Sequence, residues 1–369
     1  MDILLDYSLK EMEQIVEQIG EKKFRAKQIY TGLYQGKTFN QISNISENLK
    51  QKLIENYVSQ PIQIIDKRIS VDGTVKFLYK LFDNNVIEGV LMKYKYGYTL
   101  CVSTQVGCRM RCAFCASGID GLVRNLSAGE ILGQVIAVNQ FLEGKLKEER
   151  KITNIVLMGS GEPLDNYENV KKFINLVNDK NGLSVSERNI SLSTCGIVEN
   201  IYKLADDNLQ ITLTISLHAP FDEMRKSLMP IANKYSIQQI IDACKYYFNK
   251  TGRRVVFEYV LIKGINTTDE CIKQLSKLMH GFSYHINVIS LNNVEEKDLK
   301  GTTREEALEF VKKLQERHIS ATLRRTMGQD IDGACGQLRR KFLKETKWWK
   351  KFLLECQQIL QKKKIWLNT

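Results

Sequence analysis

The stretch Cys101–Gly118, CVSTQVGCRMRCAFCASG, decides how the rest of the chain is read. Within it Cys108, Cys112 and Cys115 stand in CxxxCxxC spacing, on a loop that follows a short β-prone run from Tyr98 to Ser103. Three thiolates this close together can share one metal centre. Iron–sulfur cubes normally take four cysteines, one per iron, so a compact three-cysteine loop leaves one iron open to an exogenous ligand. Two blander readings compete with this one. Cysteines are common core residues, but three within eight positions, with Arg109 and Arg111 between them, make a poor core pattern. A structural zinc requires a fourth sulfur or nitrogen ligand, and no second CxxC or HxxxH pair supplies it.

The spacing resembles that of the radical S-adenosylmethionine (SAM) enzymes, whose open iron chelates the amino and carboxylate groups of SAM. The 369 residues are enough for one large α/β domain with a smaller appendage. A net charge of +12 suggests a polyanionic partner, nucleic acid before a membrane surface. Nine cysteines, an odd number, and an N-terminus MDILLDYSLKEMEQ without an apolar signal segment point to a reducing cytoplasm. No apolar run approaches the roughly 18 residues of a membrane span, and no membrane partner is expected.

Residues 1–60 read as an N-terminal helical module. Ser8 and Glu11 form a capping box, and Met12, Ile15, Val16 and Ile19 follow at helical spacing until Gly20. Further helices are expected over Phe24–Tyr30 and Ser46–Tyr57. Residues 61–97 switch to strands, IQIIDKRIS, TVKFLYKLF and VIEGVLMKY, separated by Asp72-Gly73 and Asn84-Asn85 turns that mark hairpins. In the last run Glu88 shares a face with Val86, Val90 and Met92, a carboxylate in apolar register. On the residues alone, a salt bridge to a lysine on the neighbouring strand accounts for it best.

From residue 98 strand and helix alternate, with strands expected at Ile152–Met158, Asn189–Ser193, Ile211–Leu217, Arg254–Ile262, His285–Leu291 and Ser320–Arg325. Repeated βα units argue for a parallel sheet curled into a partial or full barrel. Chemistry in such folds sits at the C-terminal strand ends, where the cysteine loop lies. Behind the next strands come Gly159-Ser160-Gly161-Glu162-Pro163, Ser193-Thr194-Cys195-Gly196, Ser216-Leu217-His218-Ala219-Pro220 and Asn292. Each turn is weak evidence alone. Their recurrence at strand ends is not.

The second specific segment is Arg324–Leu338, RRTMGQDIDGACGQL, in which Cys335 lies among small residues. With it the order CxxxCxxC, GxGEP, STxG, SLHAP and GxDIxxACGQL resembles the radical SAM dual-specificity adenine-C2 methyltransferases of 23S rRNA and tRNA, the RlmN-like branch of the RlmN/Cfr superfamily, over about residues 1–340. The resemblance implies an α/β fold: a radical SAM partial (β/α)6-type barrel with an N-terminal helical domain and a β-hairpin extension. It divides the chain into an RNA-binding accessory domain (1–60), the extension (61–97), the catalytic core (98–340) and a basic amphipathic helix (341–369).

It further implies that Cys108, Cys112 and Cys115 hold a [4Fe-4S] cluster and that Gly161, Glu162, Ser193, Ser216, Leu217, His218 and Asn292 line SAM, of which two are used per turnover. Cys335 is then the methyl carrier, Glu88 the general base, and Cys101 the thiol that forms a disulfide with Cys335 to release product. The chemistry is coherent, because carbon-2 of adenine is electrophilic and cannot take a methyl group from a sulfonium directly. The implied partners are 23S rRNA, tRNA and an electron donor such as flavodoxin or ferredoxin, acting on a monomer. Lys22, Lys23, Arg25 and Lys27, and Arg324, Arg325, Arg339, Arg340 and Lys341, are candidate grips on RNA phosphates. Three features depart from the family pattern: Ser160 inside GxGEP, Asn293 after Asn292, and the tail 341–369. The alternatives are the sister carbon-8 methyltransferases of antibiotic resistance, disfavoured by Pro163 after Glu162, and a non-catalytic metal-bearing RNA-binding protein.

Overall fold

The computed structural model describes residues 1–291, 298–331 and 337–345. The first 58 residues close on themselves, because β1 (Asp2–Ile3) pairs in parallel with β2 (Tyr57–Val58) and brings both ends of the segment together. Between them lie helices Leu9–Gln18, Phe24–Tyr34 and Glu47–Asn56. The Ser8–Glu11 capping box forms as expected, each side chain holding the other's backbone N–H. The module docks on the barrel through Ile3, Leu4 and Leu5, whose side chains join the main apolar core. Polar ties fix the seam: Gly129 N–H donates to Asp6 at 2.6 Å, and the Tyr34 hydroxyl donates to the Leu176 carbonyl at 3.1 Å.

A ten-stranded sheet carries the rest. Its antiparallel part is β3 (Ile62–Ile69), β4 (Val75–Leu81) and β5 (Val86–Tyr94), joined at the turns expected from Asp72-Gly73 and Asn84-Asn85. Strand β5 pairs antiparallel with β6 (Gly97–Cys101). Beyond β6 every pairing is parallel, through β9 (Ile152–Leu157), β10 (Ile190–Thr194), β11 (Thr212–Ser216), β12 (Val255–Leu261), β13 (Tyr284–Ser290) and β14 (Ala321–Leu323). A small antiparallel ladder of β7 (Gln105–Gly107) and β8 (Leu122–Asn125) brackets the cysteine loop. The strand order runs from β14 to β3 without β3 and β14 pairing, so the barrel is partial and the hairpins extend one edge of it.

Helices such as Ala128–Phe141, Tyr167–Asn178 and Ile237–Thr251 cover the outer face with their apolar stripes, as the 3.6-residue period requires. Among the described residues no helix is long and apolar enough to cross a membrane. Residues 337–345 are helical and seat Leu338 and Phe342 on Leu78 and Val86. The remainder of the expected tail helix, 346–369, lies outside the described residues.

Candidate functional site

The C-terminal strand ends enclose a cavity of about 270 Å³ lined by Cys108, Cys112, Cys115, Gly161, Glu162, Ser193, Ser216 and His218. These eight residues come from four separate strand-end turns, and the fold brings all of them to one place. The cysteine loop is fastened from several sides. Arg109 Nε donates to Asp165 Oδ2 at 2.8 Å, Ala113 N–H donates to the Leu228 carbonyl at 2.8 Å, and Gln105 joins Asn125, Asp165 and the Glu162 N–H. Only glycine fits the loop's hinge at Gly107 (φ +80°), where a Cβ would stand 2.0 Å from the Gly121 carbonyl oxygen.

Burial pushes the Cys108 thiol up to about 12, with Cys115 and Glu162 nearby adding to the rise, and burial likewise pushes Cys112 up. Such thiols stay protonated until a cation displaces the proton. Among the described residues no three Cys, His, Asp or Glu side chains converge at the spacing of a single-ion site. A cube takes each thiolate on a different iron, so its ligands stand further apart than those of one zinc ion. The donor set, three thiols beside a cavity roomy enough for a ligand, therefore fits a [4Fe-4S] cluster better than zinc.

Around the rest of the cavity the polar groups are held in fixed directions. Glu162 is almost fully buried, and burial raises its pKa against the hydrogen bonds it accepts from Cys195 N–H at 2.7 Å and Leu164 N–H at 3.0 Å. Gly161 (φ +111°) lets the turn pass Gln105, whose Cβ and N would stand 2.7 and 2.8 Å from an added methyl. Ser193 Oγ lies 3.4 Å from Ser216 Oγ and donates to Glu258 Oε2 at 3.2 Å. His218 Nδ1 accepts the Val260 N–H at 3.1 Å, which makes Nε2 the protonated nitrogen of a neutral ring. Burial, with the Arg225 charge assisting, lowers its pKa to about 3. The Phe114 ring stands edge-on to it at 4.8 Å.

Leu217 does not line the cavity but sits beneath it, its N–H donating to the Glu258 carbonyl at 3.1 Å. Asn292 and Cys335 lie outside the described residues, and the Cys101–Cys335 pairing with them. Cys101 packs beside the cavity with Val90, Met92, Val156, Met158 and Met327. Glu88 is buried on β5, as its apolar register implies, and the neighbouring-strand lysine is Lys76, with Nζ at 3.3 Å from Glu88 Oε1. Its other oxygen accepts the Arg339 N–H at 3.1 Å.

One of the expected RNA grips, Arg339, is corrected. Arg339 is 7% exposed and turned inward, its Nε donating to the Val86 carbonyl at 2.7 Å. Arg340 Nε lies 3.5 Å from Asp120 Oδ2, and Arg324 Nη1 lies 3.1 Å from Glu258 Oε1. In the N-terminal module Lys23 reaches Glu17, and Arg25 donates to Gln28 and the Asn44 carbonyl.

Two site residues escaped the sequence reading. Glu258 is the lone carboxylate in VVFEYVL, the same signal that singled out Glu88. Arg225 is fully buried and donates to the carbonyls of Cys195 (2.6 Å), Ser216 (3.2 Å) and Leu217 (3.2 Å), tying two strand-end turns together. Its segment DEMRKSL reads as a solvated helix, so nothing local announces it.

Comparison with known proteins adds to this geometry. The family described as "Radical SAM superfamily" matches residues 102–279, and "Ribosomal RNA large subunit methyltransferase N-terminal domain" matches residues 3–58. The chain is 48% identical over 347 residues to "Probable dual-specificity RNA methyltransferase RlmN" of Clostridium novyi, covering 93% of this chain and 99% of that protein. It is 51% identical over 346 residues to the protein of the same name in Thermoanaerobacter sp., covering 93% and 99%. A crystal structure of a radical SAM methyltransferase from Sphaerobacter thermophilus superposes with a TM-score of 0.87 at 38% identity, covering 91% of this chain and 99% of that one.

Proposed function

Because the chain belongs to the RlmN family of dual-specificity RNA methyltransferases, within the radical SAM superfamily, we propose that it methylates carbon-2 of an adenosine in 23S rRNA and of an adenosine in the tRNA anticodon loop. The observation that supports this reading most directly is the single cavity in which three cysteines meet Gly161, Glu162, Ser193, Ser216 and His218. Cys108, Cys112 and Cys115 would hold the [4Fe-4S] cluster that SAM binds. When bound, the cluster supplies the electron that releases a 5′-deoxyadenosyl radical from SAM.

The protein's own groups do the rest. Glu162, a carboxylate already oriented by two backbone N–H groups, accepts from the ammonium of SAM. Ser193 and Ser216 face its polar edge, and neutral His218 donates through Nε2 without adding charge beside a sulfonium. Cys335 carries the methyl group: its thiolate takes the methyl from one SAM by displacement, as in covalent catalysis. The S-methyl group gives up a hydrogen atom to that 5′-deoxyadenosyl radical, giving 5′-deoxyadenosine, and its carbon joins adenine C2, with the unpaired electron of the adduct returned to the redox partner. Glu88 removes the ring proton, and Lys76 beside it stabilises the carboxylate that receives it. The Cys101 thiolate then attacks the Cys335 sulfur, breaking its bond to the methylene carbon, which takes up a proton to become the methyl group of the released product, and leaving a disulfide that external thiols reduce. Residues 1–60 grip the RNA, whose target base must leave its stack to reach the site. The setting is the cytoplasm, with the protein a monomer and flavodoxin or ferredoxin the reductant.

The deciding experiment is mass spectrometry of nucleosides after anaerobic reaction of the reconstituted protein with SAM, a reductant and unmodified rRNA or tRNA. 2-Methyladenosine together with 5′-deoxyadenosine is expected. 8-Methyladenosine would assign the carbon-8 reaction instead, and an intact cluster with no SAM cleavage would assign a non-catalytic role.

A further inference from the structure

The hairpin that joins β5 to β6 ends in an aromatic stack. Tyr94 pairs with Gly97, so Lys95 and Tyr96 form the two-residue turn. Turns of this length ordinarily carry Asn, Asp or Gly. Here the Tyr96 ring instead lies flat on Tyr94, with centroids 5.0 Å apart and planes 6° from parallel. Tyr96 is 63% exposed, so it adds little to the core and leaves the outer end of the stack open to solvent. Flat rings presented in this way are surfaces on which an unpaired nucleobase stacks.

The inner ring connects the stack to the site. Tyr94 shares the face of β5 that carries Glu88, Val90 and Met92. It packs against the cluster of Val90, Met92 and Cys101, which Met158 and Met327 also join, and Met158 lines the cavity of the three cysteines. Burial raises the pKa of the Tyr94 hydroxyl, and the charges of Arg324 and Arg325 act against that rise, which places both guanidinium groups near the ring. Both arginines are exposed, as are Lys93 and Lys95, and neither 93–98 nor 324–327 contains a carboxylate. Glu88 and Tyr94 stand on one strand face at a separation of about 20 Å, from the rise per residue of a strand. A base on the stack is therefore not the adenosine that reacts beside Glu88 but another nucleotide of the same loop.

We propose that the Tyr94–Tyr96 stack is a platform for an unpaired RNA base near the target adenosine, with Arg325 and Lys95 on the phosphates beside it. The inference rests on the RNA substrate proposed above and says where the single-stranded part of that substrate is held. A basic surface alone grips the phosphates of a duplex stem as readily as those of a loop. A ring among cations selects nucleotides that have left their stack, the state that the target base must itself reach. It explains why exposed rings stand at a turn that small polar residues would close, and why they stand on the strand that bears Glu88.

The test uses the cluster-loaded protein without SAM or reductant, so that no turnover occurs, and a hairpin RNA whose loop carries the target adenosine. 2-Aminopurine replaces each loop neighbour of that adenosine in turn, and its fluorescence falls when it stacks. At one of these positions the native complex is expected to be dimmer than the Tyr96→Leu complex. Tyr96→Ala and Tyr96→Leu should weaken RNA binding roughly tenfold, the scale of one base–aromatic stack, and Tyr96→Phe should restore both affinity and quench. Salt dependence separates the ring from the cations. Tyr96→Leu should keep the native slope of log K against log[salt], whereas Arg325→Ala should make it shallower by about 0.7, the value of one single-strand phosphate contact. Native affinity and native quench in Tyr96→Leu overturn the inference, as does weaker binding with the quench intact. Equal losses in Tyr96→Phe and Tyr96→Leu with a lowered urea midpoint assign the stack to hairpin stability and overturn it likewise. A native protein that binds no such RNA refutes the substrate reading, and the platform falls with it.

Discussion

Replacing Arg225 by methionine isolates the one side chain that joins two walls of the site. The guanidinium is fully buried and makes three hydrogen bonds to carbonyl oxygens, those of Cys195, Ser216 and Leu217. At roughly 1.5–3 kcal/mol for each bond from a charged donor, their gross worth is about 5–9 kcal/mol. Against this stands the cost of burying a guanidinium, several kcal/mol, which Arg225→Met relieves. That relief is the larger because Nη1 has no hydrogen-bond partner among the described residues. The balance is a net loss of about 2–4 kcal/mol, since three buried carbonyls lose a charged donor, although that of Leu217 keeps the Ala219 N–H at 2.8 Å. The second consequence is functional. The Cys195 turn orients Glu162 through the Cys195 N–H, and the Ser216–Leu217 turn presents Ser216 and His218, so untying them loosens one side of the cavity. Anaerobic urea denaturation followed by circular dichroism measures the first effect. Titration calorimetry with SAM measures the second, where affinity is expected to fall at least tenfold with cluster content retained. A destabilisation under about 0.5 kcal/mol, the range of surface substitutions, together with native SAM affinity, would refute the reasoning.

Cys335→Ala is expected to abolish RNA methylation while leaving iron and sulfide content at the native level, and full turnover in that variant would remove the carrier assignment. Cys101→Ala is expected to leave the RNA covalently attached to the protein, detected as a gel-shifted, protease-sensitive species; free product at native yield would exclude Cys101 from release. His218 predicts an acid dependence of stability. Its folded pKa of about 3 lies below the unfolded value near 6.5, so the unfolded chain binds the proton more readily. The stability it contributes is therefore complete above pH 6.5 and is lost as pH falls toward 3, by about 1.4 kcal/mol per pH unit. Denaturation at about pH 7.5 and 5.5 should show a steeper loss in the native protein than in His218→Asn, and equal losses would falsify the assignment of the buried neutral ring.

Much of this architecture is written locally. The Ser8–Glu11 box, the Asp72-Gly73 and Asn84-Asn85 turns and the alternation of β-prone and helical runs each fix their own element, because caps, turn dihedrals and periodicity act over a few residues. The site turns were legible for a related reason: glycines and small polar residues weaken an apolar strand, so their recurrence at one sheet end marks a place where a ligand must approach the backbone. What was not legible depends on contacts between distant segments. Lys76 forms the salt bridge expected of Glu88, yet its full burial was not legible, because the C-terminal segment covers that face of β4 and β5. Arg339 reads as part of a basic surface, yet it points inward for the same reason. No pattern within KFLYKL or GQLRRK can announce a neighbour more than 250 positions away, as the Glu88–Arg339 bond requires.

The division of labour within the sheet follows from this. Strand β6 is the seam, hydrogen-bonded to antiparallel β5 on one side and to parallel β9 on the other. Cys101 ends that strand, opposite Val90 and Val156, and the chain reaches Cys108 seven residues later. A residue on a ladder shared by two sheet halves has almost no freedom of its own, so its distance from the cysteine loop is set by backbone geometry. Cys335 lies outside the described residues, between two described stretches, Gly328–Asp330 and Arg339, that are fastened by hydrogen bonds involving side chains. The proposed route demands this contrast. The release thiol meets one partner and can be fixed, whereas the carrier must meet the methyl donor, the adenine ring and Cys101 in turn. A carrier built into a strand could serve only one of those encounters, and a carrier on an untethered tail would lose the effective concentration that makes each of them fast.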